Sequence, residues 1–447
     1  MKWLYPLAIA TVGLGLASCG GGLSEAVDAL LPNAPKPPLP GKRVSVLNLE
    51  QTIKPDPSIQ EIDVRLPQPV VNRDWPEAGG YPTHAMYHLA LGERVHQAWS
   101  RSFGEGTSRS GQVLVAPVVE NGRIVTMDAE SVVMAFNAGN GRRLWTFNPK
   151  PKKVDTTTFG GGVAALGNRV YVSTGYAEVL ALDAKNGRQL WRRPVPGPLH
   201  APPTVADGRV FAVTVDNELV VLAADDGRIL WTHNGLPETA GLLGGSSPAV
   251  EGDIVVVAYS SGELFALRVE NGRPLWTDNL ASARSLDALT ALADIRGRPV
   301  IDHGLVFAIS HSGRMVAIDL RTGDRVWEQD LGGSYTPWVA GDFVYVLTND
   351  NSVVCLTRRE GKIKWVLDLP RYENEEKKKD PLDWSGPLLA SDRLIVLASN
   401  GDAISISPYT GKALGRIVFS DGSYVAPVLA NQTLYIVTQG ADLIAYR

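Results

Sequence analysis

A glycine followed four residues later by a tryptophan recurs six times: Gly141 and Trp145, Gly187 and Trp191, Gly227 and Trp231, Gly272 and Trp276, Gly323 and Trp327, Gly361 and Trp365. Each glycine closes a pair such as Asn140-Gly141 or Asp226-Gly227, residue types that permit positive φ in tight turns between strands. Six residues before each glycine stands a small or apolar residue: Ala135, Ala181, Val221, Ala266, Ala317 or Cys355. Earlier turns precede several of them, as at Asn121-Gly122, Asp207-Gly208 and Glu251-Gly252. Alternating β-formers such as Val170-Tyr171-Val172 run between the two turns, so each unit reads as a meander of four short strands.

From Trp99 to Trp365 the tryptophans of the repeat, Trp338 set aside, are 38 to 51 residues apart, the period of propeller blades, which bury their faces against one another. Residues 384–419 keep the turn Thr410-Gly411 but carry Gly415 where tryptophan is expected, a weaker unit. Residues 424–447 supply strands without a closing tryptophan strand, while His96-Gln97-Ala98-Trp99 stands unpartnered before the first full unit. The pattern predicts that residues 96–103 complete the last blade. The fold expected over 83–447 is all-β: an eight-bladed propeller of four-stranded antiparallel blades, closed by an N-terminal strand that leaves no free edge at the junction.

Ahead of the ring, residues 1–18 read as a signal peptide: Lys2 is followed by the apolar run Leu4 to Leu16, too short to span a bilayer as a helix. The run ends in Leu16-Ala17-Ser18-Cys19, which resembles the bacterial lipobox, so acylation of Cys19 is expected. In the lipoprotein class, Gly20 rather than aspartate after the cysteine implies delivery to the outer membrane. Residues 19–82 are proline-rich and read as a semi-extended tether, with a short helix over 24–31. Cys355, the other cysteine, occupies an apolar strand position and is expected to be a buried, inert thiol.

Forty-three basic and 47 acidic residues give a net charge of -4 and no footprint for nucleic acid. His84 and His88 are four apart and would share a helix face, but no carboxylate or thiol completes a metal set, so a packed or surface pair is expected. Asp183 and Asp319, four residues before turn glycines, are expected to brace those turns. The charged run 373–380 reads as a solvated loop, and neither a catalytic constellation nor a cofactor site is expected. Two segments depart from the period. Residues 281–293 place Leu286, Leu289 and Leu292 at helical spacing. Residues 235–247 hold Leu242-Leu243 beside Gly244-Gly245, a pair that either packs onto the blade edge or anchors a partner.

Ala181-Leu182-Asp183 with Gly187-Arg188-Gln189-Leu190-Trp191, and the matching run from Ala317 to Trp327, resemble the tryptophan-docking repeat of pyrroloquinoline-quinone propellers. With the lipobox, the N-terminal tryptophan strand and eight units, the chain after about Trp75 resembles the BamB family, lipoproteins of the outer-membrane β-barrel assembly machinery. Trp75-Pro76-Glu77-Ala78-Gly79-Gly80 followed by His84-Ala85-Met86 is similar to the lead-in of alphaproteobacterial members. The resemblance implies a non-catalytic, lipid-anchored scaffold at the periplasmic face of the outer membrane, monomeric within its complex. It implies binding to the POTRA domains of BamA through two neighbouring interblade loops. Those are the loops holding Leu242, Leu243 and Gly244, and Asp294 with Arg296. The family often has arginine where Leu243 stands and an acid where Arg296 stands. The alternatives are a quinone-dependent dehydrogenase, which typically needs a calcium site, a catalytic aspartate and often a cysteine pair, or a generic ligand-binding propeller.

Overall fold

Eight four-stranded antiparallel sheets follow one another in the computed structural model, which describes residues 53–109, 111–158, 160–238, 241–281, 293–419 and 421–447. Blades 1 to 7 span 118–147, 161–194, 204–234, 249–279, 300–329, 338–368 and 384–418. Blade 8 takes three strands from 428–446 and its outer strand from Gln97–Ser102, with Gln97 opposite Tyr446 and Ser102 opposite Asp442. His96 and Arg447 exchange backbone hydrogen bonds of 2.7 and 3.0 Å, closing the ring where the unpartnered tryptophan strand predicted. The charged run lies in an exposed hairpin, Tyr372–Asn374 paired with Lys379–Pro381, rather than an irregular loop.

The glycine–tryptophan pair is a relay between blades. Within a blade the tryptophan sits opposite the small residue noted above, as Trp145 opposite Ala135 and Trp365 opposite Cys355. Its ring then reaches the following blade. Trp145 Nε1 donates to Ala184 O at 2.9 Å, Trp276 to Leu320 O at 2.8 Å and Trp365 to Pro408 O at 3.0 Å, each carbonyl lying three residues before the next turn glycine. That glycine must lack a side chain: at Gly187, with φ +73°, a Cβ would come within 2.7 Å of the Trp145 ring. Asp183 and Asp319 brace these turns by accepting backbone N–H groups of Lys185 and of Arg321 and Thr322. Cys355 is fully buried opposite Trp365, and burial raises its thiol well above the ordinary range.

The missing tryptophan at Gly415 has a topological reason. Blade 8 receives its outer strand from the N-terminal side, so no hairpin turn joins its third and fourth strands and no turn glycine is there to receive a ring from blade 7. The outer strand of blade 7, Ala413–Val418, is exposed along its whole length.

The expectation of a tether as far as residue 82 is corrected from Ile53 onward. Asp56 N–H donates to Ile363 O at 2.8 Å, and Lys364 Nζ donates to the carbonyls of Ile59 and Gln60. Residues 72–89 then run around the inside of the ring and meet every blade in order. Asn72 bonds Leu429 and Asn431 of blade 8; Trp75 exchanges two bonds with Val119 of blade 1. Pro76 O accepts from Ala165 N, Glu77 Oε1 from Val205 N, Pro82 O from Val250 N and Thr83 O from Ile301 N, at 2.8 to 2.9 Å. Tyr87 O accepts from Trp338 Nε1, and Leu89 bonds Leu389 and Ser391 of blade 7. The inner strands of a propeller leave unpaired polar groups facing the channel, and this segment satisfies them. Proline fits such a place, because Pro76 and Pro82 offer a carbonyl without bringing in an N–H that would need its own buried partner.

Candidate functional site

Two interblade loops meet beside the channel. The first joins blades 3 and 4, the second blades 4 and 5. Leu242 N–H donates to Asp294 Oδ2 at 2.7 Å, tying one loop to the other. Gly244, with φ +94°, lies against Arg296, whose Nε would be 3.2 Å from a Cβ there. The five loop residues singled out from sequence therefore form one patch. Their exposures differ: Leu243 is 43% exposed, Leu242 and Arg296 are half-buried, and Asp294 is buried at 6%. Burial raises the Asp294 carboxyl above its ordinary value, against the pull of the Leu242 N–H and of Arg296. A groove of about 390 Å³ runs beside the patch, bounded by Pro198, Val213, Asp216, Leu242, Leu243 and Asp294. Cys19, the 24–31 helix and residues 282–292 with Leu286, Leu289 and Leu292 lie outside the described residues.

The segment 72–89, a girdle inside the ring, also narrows the central channel. What remains is a cavity of about 110 Å³ with Trp75, Gly79 and His84 of the girdle on its lining, together with the loop residues Gly244 and Arg296. The histidines are not on a helix: His84 has φ 60° and its Nδ1 lies 2.7 Å from Pro299 O, whereas His88 Nδ1 lies 2.7 Å from Pro67 O. Both are buried, as packed residues are. Burial, with Arg298 nearby, lowers His84 to about 3, so it is neutral; burial likewise holds the Glu77 carboxyl well above its usual range. Arg298 lines the cavity and no sequence pattern pointed to it: a lone Arg between Gly297 and Pro299 carries no periodic signal. Among the described residues no group of three or more His, Cys, Asp or Glu is placed to hold a metal.

The comparisons with known proteins agree with this architecture. A chain from Yersinia pestis named outer membrane protein assembly factor BamB is 27% identical over 360 residues, covering 78% of this chain and 88% of the relative. The protein of that name from Escherichia coli K12 is 28% identical over 346 residues, covering 76% and 85%. The crystal structure of BamB from Moraxella catarrhalis superposes with a TM-score of 0.64 at 19% identity, covering 79% of this chain and 98% of that one. A quinohemoprotein alcohol dehydrogenase from Comamonas testosteroni superposes at 0.63 with 13% identity, covering 84% and 80%, a likeness of fold alone. A family model described as outer membrane protein assembly factor BamB matches residues 129–367, more than half of the sequence, across the relay of tryptophans and both loops of the patch. The chain belongs to the BamB family of outer membrane protein assembly factors.

Proposed function

We propose that this chain is a non-catalytic scaffold of outer-membrane β-barrel assembly, anchored by acylated Cys19 at the periplasmic face of the outer membrane. In this reading it binds BamA through the patch of Leu242, Leu243 and Gly244 with Arg296. The observation that carries the reading is the Leu242–Asp294 hydrogen bond, which fixes two loops from different blades as one surface with Leu243 exposed on it. The chemistry divides the roles. Asp294 is buried and spent on the loop, so it positions the surface, while Leu243 supplies apolar area of the kind that anchors interfaces. Leucine at 243 and arginine at 296 give a contact more apolar, and differently charged, than the family's usual one.

Affinity capture of the detergent-solubilised lipoprotein tests this function. BamA is expected among the recovered proteins; recovery free of every barrel-assembly subunit would sink the reading.

A further inference from the structure

Two guanidinium groups line the channel cavity, and among the described residues neither is paired with a carboxylate. Arg296 and Arg298 flank Gly297, which sits in a bend, and both border the cavity. Among the described residues neither makes an ion pair. Asp294 attracts Arg296 without a hydrogen bond between them among the described residues, and its Oδ2 accepts from the Leu242 N–H. The Arg298 side chain makes two hydrogen bonds among the described residues, Nε to Ser247 Oγ and Nη1 to Thr336 Oγ1, both at the long distance of 3.4 Å. Arg296 has the Tyr335 ring beneath it, 5.8 Å from guanidinium carbon to centroid. A guanidinium partly withdrawn from water is costly when it is unpaired, and a second cation two residues away adds repulsion. The strain registers on Arg298, which burial and Arg296 together lower to about 10. Both groups border the cavity, which leaves room there for a compensating anion.

The remaining lining narrows the chemistry. Trp75 and Trp338 stack at 6.3 Å with planes 27° apart, and Pro202 and Tyr335 stand on the walls. A fully hydrated inorganic anion gains nothing from such a lining, whereas an apolar ring does. The volume, about 110 Å³, suits a single ring. We propose that the cavity is a binding site for a small carboxylate borne on an aromatic or apolar body. The carboxylate pairs with the forked guanidiniums of Arg298 and Arg296, and the body packs on the paired tryptophans. Arginine presents parallel N–H donors that match a carboxylate. The cavity shares Arg296 and Gly244 with the partner patch above, whereas Arg298 and the tryptophans belong to the cavity and Leu243 lies outside its lining.

Calorimetric titration of the full-length chain in detergent at low ionic strength, where charge pairing is least screened, tests the site. The probes are benzoate, its neutral isostere benzamide, acetate and sulfate. Benzoate is expected to bind saturably, at least tenfold more tightly than the other three, and to raise the Tm. Sulfate or acetate binding as tightly as benzoate would overturn the assignment, as would the absence of saturation by benzoate up to about 10 mM, an affinity short of about 3 kcal/mol. Arg298→Met should weaken benzoate at least tenfold while leaving the ligand-free Tm equal to or above that of the parent, because an uncompensated charge is removed. A large fall in that Tm would mark Arg298 as a structural cation and count against the proposal. Arg296→Met, at the more open position, gives the second reading: unchanged benzoate affinity in both variants would refute it.

Discussion

If tryptophan docking onto a bare glycine holds neighbouring blades together, Gly187→Ala should cost far more than the same change at Gly208. Both glycines occupy left-handed turns, with φ +73° and +71°, so the backbone penalty of about 1 kcal/mol is common to the two. Their surroundings differ. Nothing lies within 4 Å of a Cβ at Gly208, whereas one at Gly187 meets the Trp145 ring at 2.7 Å. Moving that ring forfeits the 2.9 Å bond to Ala184 O, about 1 kcal/mol, and forces repacking worth about 1–3 kcal/mol. Gly187→Ala is therefore expected to cost about 3–5 kcal/mol, against about 1 kcal/mol for Gly208→Ala. Equilibrium urea unfolding followed by both circular dichroism and fluorescence measures the difference, provided the two transitions coincide. A double-mutant cycle isolates the cause: in a Trp145→Ala background the Gly187 change should fall to about 1 kcal/mol. Equal costs at the two glycines, or no coupling to Trp145, would refute the relay.

The buried girdle gives further tests. Folding raises the Glu77 carboxyl well above its ordinary 4.5, so the folded chain keeps a proton that the unfolded chain releases as pH rises. Protonation therefore favours the fold below 4.5, and that contribution is lost as pH rises toward the folded value; Glu77→Gln should gain stability relative to the parent across this interval in pH-dependent urea melts. His84 runs the other way: its folded value of about 3 lies below the ordinary 6.5, so its stability is present above 6.5 and is lost as pH falls toward 3. The slope is about 1.4 kcal/mol per pH unit, and His84→Gln should flatten it. Hydrogen exchange should find the amides of Val119, Ala165, Val205, Val250 and Ile301 protected as strongly as mid-blade amides; rapid exchange there would contradict the circuit around the channel.

The ring was legible because its determinants are local and repeated. A turn glycine, a small strand residue and a tryptophan at fixed spacing record contacts that every blade makes with the next. The closing strand at Trp99 could be read by elimination, since its partner strand was missing at the other end. Gly415 reads in sequence as decay of the repeat; in the structure it marks the one junction whose receiving blade has no third turn. The girdle was not legible. Its prolines correctly signal a segment with no core of its own, but the segment borrows the open inner edges of eight blades, and irregular backbone that follows eight different partners leaves no period. Of the patch, sequence supplied the two loops through family resemblance, while the division between exposed Leu243 and buried Asp294 required the structure. Arg298 acquires meaning only from what it faces.

Whether the patch joining the two loops is the partner surface is measured directly by titrating the purified POTRA domains of BamA into the full-length chain and into Leu242→Asp/Leu243→Asp. A saturable Kd is predicted for the parent and at least a tenfold weaker one for the variant, with the Tm changed little because Leu243 is exposed and Leu242 only half-buried. An unchanged Kd in a folded variant would contradict it.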